Sequence, residues 1–148
     1  MYYYEQVLRD GKDKLSQHFT VEELACKCCG LLRLAPYFIS ELESLRFALD
    51  FPLKITSGCR CPDHNTSEGG RKGSFHLTKN PKYGIDGACA VDVYWADWSA
   101  SKKEVLLRIA EEHGWSIGKA NTFCHLDKRD KYTNKPRVDF TYEGYTGV

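Results

Sequence analysis

The run Ala88–Trp95, "ACAVDVYW", constrains this chain more than any other stretch. Its alternation and its β-branched and aromatic residues predict a strand. Yet Asp92 stands near its centre, and a carboxylate inside an otherwise apolar strand is costly unless it meets a cation. The segment before it sharpens the question. Residues 60–87 carry His64, His76, Asp63, Glu68, Asp86 and five glycines, with few apolar side chains. That composition predicts a loop. A polar, glycine-rich loop running into a strand with a buried-type aspartate has the character of a site, not of a linker or a core segment.

Around this centre the chain alternates unevenly between helices and strands. "FTVEELA" reads as a short helix opened by a Thr20/Glu23 capping box. "APYFISELESLRFALD" places Phe38, Leu42, Leu45 and Leu49 at helical spacing, with Pro36 suited to a first turn. "PLKITSG" is a short strand ending in a turn. "SASKKEVLLRIAEEHG" predicts a third helix, with Ser101 and Glu104 as its capping box and Gly114 as its stop. "WSIG", "TFCHLDK" and "PRVDFTYEG" supply the remaining strands, expected to pair antiparallel. The fold class is α+β. With 148 residues and no repeat or low-complexity tract, one domain is expected.

The formal net charge of +1 gives no electrostatic case for nucleic acid or an anionic membrane. No apolar run approaches the roughly 18 residues of a spanning helix. "MYYYEQVLRDGKDK" lacks a basic start followed by an apolar stretch, so no secretory signal is expected. The expectation is a protein of the producing cell's cytosol that leaves, if it leaves, by lysis or within a particle. Seven cysteines stand at 26, 28, 29, 59, 61, 89 and 124, an odd count that leaves at least one unpaired. "CKCC" has the look of soft-metal ligation, but "CRC" is no second knuckle of ordinary spacing. Small buried thiols, or a disulfide from Cys26 or Cys28 to Cys61, are the preferred reading over structural zinc.

Three side chains stand out for chemistry: His76, Asp92 and His125. Two imidazoles and a carboxylate form a common catalytic zinc set with water in the fourth position. The competing reading is two hydrogen-bonded histidines and a partly exposed aspartate, since no compact motif such as H-E-x-x-H occurs. Arg60 projects from a strand end at a sharp turn, where a guanidinium grips a carboxylate through a bidentate fork or forms a surface ion pair. His64 and Asn65 read as loop-holding residues.

Taken in order, "FTVEELAC", "LKITSGCRCPDHN", "GG", "SFH", "ACAVDV" and "FCHLDKR" resemble the zinc D-Ala-D-Ala carboxypeptidase family and the related phage wall-lytic peptidases, with their Hedgehog/DD-peptidase-like fold. The likeness covers roughly residues 18–130, which leaves residues 1–17 as an N-terminal extension to a domain over 18–148. It implies a small domain with an antiparallel sheet flooring a zinc cleft and helices packed on the other side. It also implies one Zn2+ held by His76, Asp92 and His125, with Ser74, beside the first ligand, as a substrate-binding residue. Arg60 matches the arginine that holds the substrate carboxylate. Two departures stand out. Fifteen residues separate His76 from Asp92, more than in the family pattern, and the insertion raises Asp86 as a rival ligand. Where relatives place a base before the last histidine, this chain has Ala120, Asn121 and Thr122. That leaves Asp127 as either a catalytic base or a residue that orients a ligand.

The resemblance implies a zinc metallopeptidase cutting peptide bonds in bacterial peptidoglycan, as a carboxypeptidase or a wall-lytic endopeptidase such as a phage endolysin. Its partners would be peptidoglycan stem peptides and virion proteins, reached by lysis or from a particle, with no nucleic acid or membrane. The alternative is a non-catalytic peptidase-like module, structural or wall-binding, for example in a phage particle.

Overall fold

The computed structural model describes residues 13–147. Twelve elements run in the order α1 (Val21–Leu24), α2 (Phe38–Leu49), β1 (Ile55–Ser57), α3 (Pro62–Ser67), β2 (Lys79–Asn80), β3 (Ile85–Asp86), β4 (Ala90–Tyr94), α4 (Ala100–Glu112), β5 (Ser116–Lys119), β6 (Phe123–Asp127), α5 (Arg129–Tyr132) and β7 (Asp139–Thr141). A five-stranded sheet has the order β1-β4-β6-β5-β7, and β2 and β3 form a separate hairpin. The class is α+β, as the sequence predicts.

The sheet is mixed, not antiparallel throughout. β1, β4, β6 and β5 pair antiparallel, but β7 runs parallel to β5. The reason lies in the return path. After β6 the chain passes through α5 and the loop at 133–138, and so re-enters the sheet beside the start of β5. The polar stretch 60–87 also departs from the expected loop, since it contains α3 and the β2–β3 hairpin. Pro62 at the start of α3 and Asn80 account for this. The Asn80 amide donates to the Gly73 and Ser74 carbonyls and its oxygen accepts from Tyr83 N, so polar side chains hold the loop instead of a core.

The helices follow their expected faces. Phe38, Ile39, Leu42, Leu45 and Leu49 of α2 are buried, and so are Leu106 and Ala110 of α4. The Thr20/Glu23 capping box is formed. α4 starts earlier than its expected box: Ser99, not Ser101, is the cap, and its hydroxyl accepts from Lys102 N. Pro36 lies before α2, whose N-cap Tyr37 adopts a left-handed conformation at φ 66°. Gly114 ends α4 at φ 83°, the conformation that favours glycine there.

One core joins these layers. Val91, Val93, Cys124 and Leu126 alternate away from Asp92 and His125, and they enter the core with Leu42, Leu45, Leu106 and the fully buried Trp95 and Trp115. Residues 1–12 of the expected N-terminal extension lie outside the described residues. Within the rest of it, Leu15 is buried and Ser16 bonds Glu43 of α2, which the first domain residue, His18, also bonds.

Candidate functional site

Sheet register builds the site. Asp92 of β4 pairs with Ser57 of β1 on one side and His125 of β6 on the other, and His125 pairs with Gly118 of β5, which pairs with Phe140 of β7. Directly paired residues share a face, so this row puts a hydroxyl, a carboxylate, an imidazole, a bare glycine and an aromatic ring side by side. Gly118 leaves room for the ring: a Cβ there would lie 2.4 Å from Phe140 Cζ. The Phe140 ring consequently sits 5.8 Å from the His125 ring, centroid to centroid.

His76 comes in from the loop above this row. Its Nε2 lies 3.2 Å from Asp92 Oδ1 and 3.2 Å from His125 Nδ1, and His125 Nδ1 is also 3.2 Å from Asp92 Oδ1. The bonds on the far sides of the rings fix which nitrogens are free. His76 Nδ1 is 2.8 Å from the Gly58 carbonyl, and His125 Nε2 is 2.7 Å from Asp127 Oδ2. Both partners only accept, so Nδ1 of His76 and Nε2 of His125 carry hydrogens. In the neutral rings, therefore, the lone pairs converge on Asp92.

This donor set fits a small divalent ion. Zinc bonds of about 2.0–2.1 Å in tetrahedral array hold adjacent ligands about 3.3 Å apart. The three mutual separations here are all 3.2 Å. Asp86, the rival ligand, lies elsewhere: it is exposed and paired with Arg33 at 2.7 Å. The insertion between His76 and Asp92 is the β2–β3 hairpin, which carries Asp86 away from the cluster.

Asp127 is fully buried behind His125. Besides Nε2 of that ring, it accepts from Arg129 N at 3.0 Å, Nε at 3.0 Å and Nη2 at 2.8 Å. Burial works against its charge, but these bonds win and hold its carboxyl down at about 2. Burial also opposes charge on His125, yet Asp127 and Asp92 outweigh it and raise the imidazole to about 9 in the metal-free protein. Burial likewise opposes the Asp92 carboxylate, and the facing imidazoles outweigh it and hold its carboxyl well below the ordinary range. Asp127 thus touches the outer nitrogen of His125 and not the edge where His76 and Asp92 meet, which is the position of an orienting residue.

Arg60 is committed in a way its sequence position did not reveal. Its Nη2 donates to Asp92 Oδ2 at 3.1 Å, Nε to Ser57 Oγ at 3.0 Å and Nη1 to Asn65 Oδ1 at 3.4 Å. It also lines the cleft. Ser74 lines the cleft as well, and its hydroxyl accepts from His76 N at 3.2 Å. Asn65 is buried and bridges Arg60 to the Arg71 carbonyl, a loop-holding role.

The cleft over this cluster measures about 640 Å³. Cations dominate its rim: Arg60, Arg71, Lys82 and Arg129 stand against Glu68 and Glu143. Aromatic rings form its walls. Tyr83 stacks on Phe75 at 5.2 Å, and Arg129 lies 4.7 Å over Phe75. Reading the sequence missed Arg129, Tyr83, Phe140 and Glu143. Only Arg129, two residues after Asp127, left a local signal there.

A buried His-Asp-His cluster at the floor of an open cleft is the arrangement of a metallohydrolase. The family model described as Peptidase M15 matches residues 17–127, and the chain belongs to that family. It is a metallopeptidase family whose members depend on zinc. No curated protein and no solved structure matches the chain.

Proposed function

We propose that the protein is a zinc peptidase of bacterial cell-wall peptides, with His76, Asp92 and His125 as the metal ligands. One observation carries the reading: three donor atoms of a metallopeptidase chain converge at zinc-like separations on the floor of a cation-lined cleft. When bound, the ion supplies the Lewis acidity for hydrolysis. The residues of the chain do the rest. Gly58 and Asp127 keep the lone pairs of His76 and His125 aimed inward. Arg60, with Asp92 on one side and the cleft on the other, receives a carboxylate of the substrate. The cationic rim suits the acidic stem peptides of peptidoglycan, and cleavage at a terminal D-Ala-D-Ala bond would use Arg60 most directly. Release at lysis or carriage in a phage particle would bring the protein to the wall.

A non-catalytic wall-binding module is the second reading. It is favoured by Ala120, Asn121 and Thr122 at the positions where relatives carry a base, and by the inward burial of Asp127. Incubation of the zinc-loaded protein with muropeptides, followed by mass spectrometry, separates the two. The peptidase reading expects defined cleavage products that disappear with chelator and return with zinc. Binding without products makes the protein a module. The ligand assignment is tested by metal analysis: Asp92→Ala should empty the site and Asp86→Ala should not, and the reverse would overturn it.

A further inference from the structure

Cys26, Cys28, Cys29 and Cys61 lie together away from the cleft, Cys28 and Cys29 exposed, Cys61 half-buried and Cys26 buried beneath them. Residues 26–30 turn back on themselves. Gly30 N donates to the Cys26 carbonyl at 2.8 Å, Cys26 N donates to the Leu31 carbonyl at 2.8 Å, and Gly30 takes φ 78°. This knuckle places three thiols on one side. Cys61 reaches them from the turn after β1, 33 residues beyond Cys28. One sulfur of each residue falls within 4.8 Å of the others.

We propose that these four cysteines form a second, structural metal site that takes zinc as a tetrathiolate. Zinc–sulfur bonds of about 2.3 Å in a tetrahedron put neighbouring sulfurs about 3.8 Å apart. Cys26 and Cys28 sulfurs stand 3.8 Å apart, and Cys28 and Cys61 sulfurs 3.3 Å. Backbone amides also point at the sulfurs: Cys61 N at Cys26 Sγ and His64 N at Cys61 Sγ, each 3.4 Å away. Amide donors aimed at sulfur favour the thiolate that a metal requires. A disulfide between Cys28 and Cys61 would use only two of the four converging sulfurs and leave the other two crowded beside it. The other three cysteines, Cys59, Cys89 and Cys124, are buried among apolar neighbours, so the count of seven divides into four ligands and three core thiols.

The position gives the site its use. The loop between α1 and α2 has no regular structure, and α1 spans only four residues. Cys61 directly follows Arg60, and Gly58, three residues earlier, carries the carbonyl that holds His76. A metal bridging the knuckle to Cys61 would anchor the segment from which Arg60 and the Gly58 carbonyl are presented. No catalytic role is implied for this ion.

The test uses the full chain, purified with reductant and loaded with zinc or cobalt. The expected result is two zinc ions per chain, one of which remains in His76→Ala/His125→Ala. That remaining ion should leave on titration of thiols with a mercurial and should be lost in Cys28→Ser, an exposed position outside the apolar core. Cobalt loading of the unmodified chain should show sulfur-to-metal charge-transfer absorption, which a His-Asp-His site does not give, so the result stands even if a variant fails to fold. Removing this ion from the double variant should lower its melting temperature. The proposal is overturned if the double variant binds no zinc, if Cys28→Ser keeps it, if cobalt gives no charge-transfer band, or if peptide mapping of the unreduced chain finds the four cysteines in disulfides.

Discussion

Asp127→Asn tests most directly how the proposed metal ligands are held. The carboxylate serves four donors on two oxygens. Oδ1 accepts from Arg129 N and Nε, and Oδ2 accepts from Arg129 Nη2 and His125 Nε2. An amide has one oxygen and one NH2 group, so either orientation turns two acceptances into donor–donor contacts. If the oxygen stays with Arg129 N and Nε, the amide NH2 faces His125. The imidazole must then move its hydrogen to Nδ1, the nitrogen that points at Asp92. If the oxygen stays with His125, two Arg129 donors are stranded in a fully buried site. Charge-assisted bonds contribute roughly 1.5–3 kcal/mol each. The lowering of the Asp127 carboxyl to about 2 by these same bonds is of the same order, a few kcal/mol. The metal-free variant should therefore lose about 2–4 kcal/mol of stability, measured by urea unfolding. Disturbing the partner of a metal-bound histidine costs about ten- to a hundredfold in metal affinity, which competition with a chromophoric chelator would read. Unchanged zinc affinity together with a stability loss below about 0.5 kcal/mol would refute the orienting role. Intact zinc with turnover reduced by roughly a hundred- to ten-thousandfold would instead make Asp127 the base.

Arg60→Ala should destabilise the metal-free chain by about 3 kcal/mol, because it strips the buried Asp92 carboxylate of its guanidinium. The loss should be smaller with zinc bound, and equal losses in the two forms would count against the Arg60–Asp92 pairing. Zinc uptake should release protons, since His125 is protonated up to about 9 without metal. A folded pKa raised above 6.5 stabilises the metal-free protein fully below pH 6.5 and loses that contribution as pH rises through 9. Zinc affinity should accordingly climb as pH rises towards 9, by up to about tenfold per unit, and level off above it; a flat profile by calorimetry would contradict it. Asp127 has the opposite sign: its contribution is complete above pH 3.8 and is lost as pH falls towards 2. Gly118→Ala should raise KM for peptide substrates by displacing the Phe140 ring, at about 1–3 kcal/mol of stability; unaltered kinetics would remove that ring from the binding wall. Of the two cleft carboxylates, one of Glu68→Gln and Glu143→Gln should keep zinc and lose turnover, and full activity in both would eliminate a carboxylate base from the cleft.

What the sequence revealed is what depends on local periodicity. Strand alternation puts His125 and Asp127 on one face and sends Cys124 and Leu126 to the other, and the structure agrees. α2 was readable because Phe38, Leu42, Leu45 and Leu49 repeat at helical spacing. Features decided by distant partners were not readable. Two serines, Ser99 and Ser101, stand at the start of α4, and each could cap it; the register chosen is the one in which Ser99 bonds Lys102 N and Leu106 and Ala110 are buried. The parallel pairing of β7 depends on the path of the loop at 133–138, which carries no periodic signal. Cys61 lies far along the chain from the knuckle it meets, so a search for two compact knuckles passes over the cluster.

The same distinction explains why Arg60 was only half understood. Its turn position and family likeness point outward, toward a substrate. Its bonds to Ser57 and Asp92 appear only once β1 and β4 are set in register. A buried carboxylate facing two imidazoles would hold a metal without further help, but metal-free it needs a fixed positive charge whose presence does not depend on pH. Arg60 supplies that charge, because a guanidinium stays protonated throughout the physiological range. Its Nη2 lies on Asp92 Oδ2, whereas both histidines approach Oδ1. The two oxygens therefore have separate partners. A metal can take Oδ1 without displacing the arginine, and Arg60 can remain at the cleft wall beside an occupied site. Arg60→Lys would keep the charge but lose the fork. Zinc retention with weakened substrate binding in that variant would show the two duties to be separable. Equal loss of both would show that Arg60 acts through Asp92 alone.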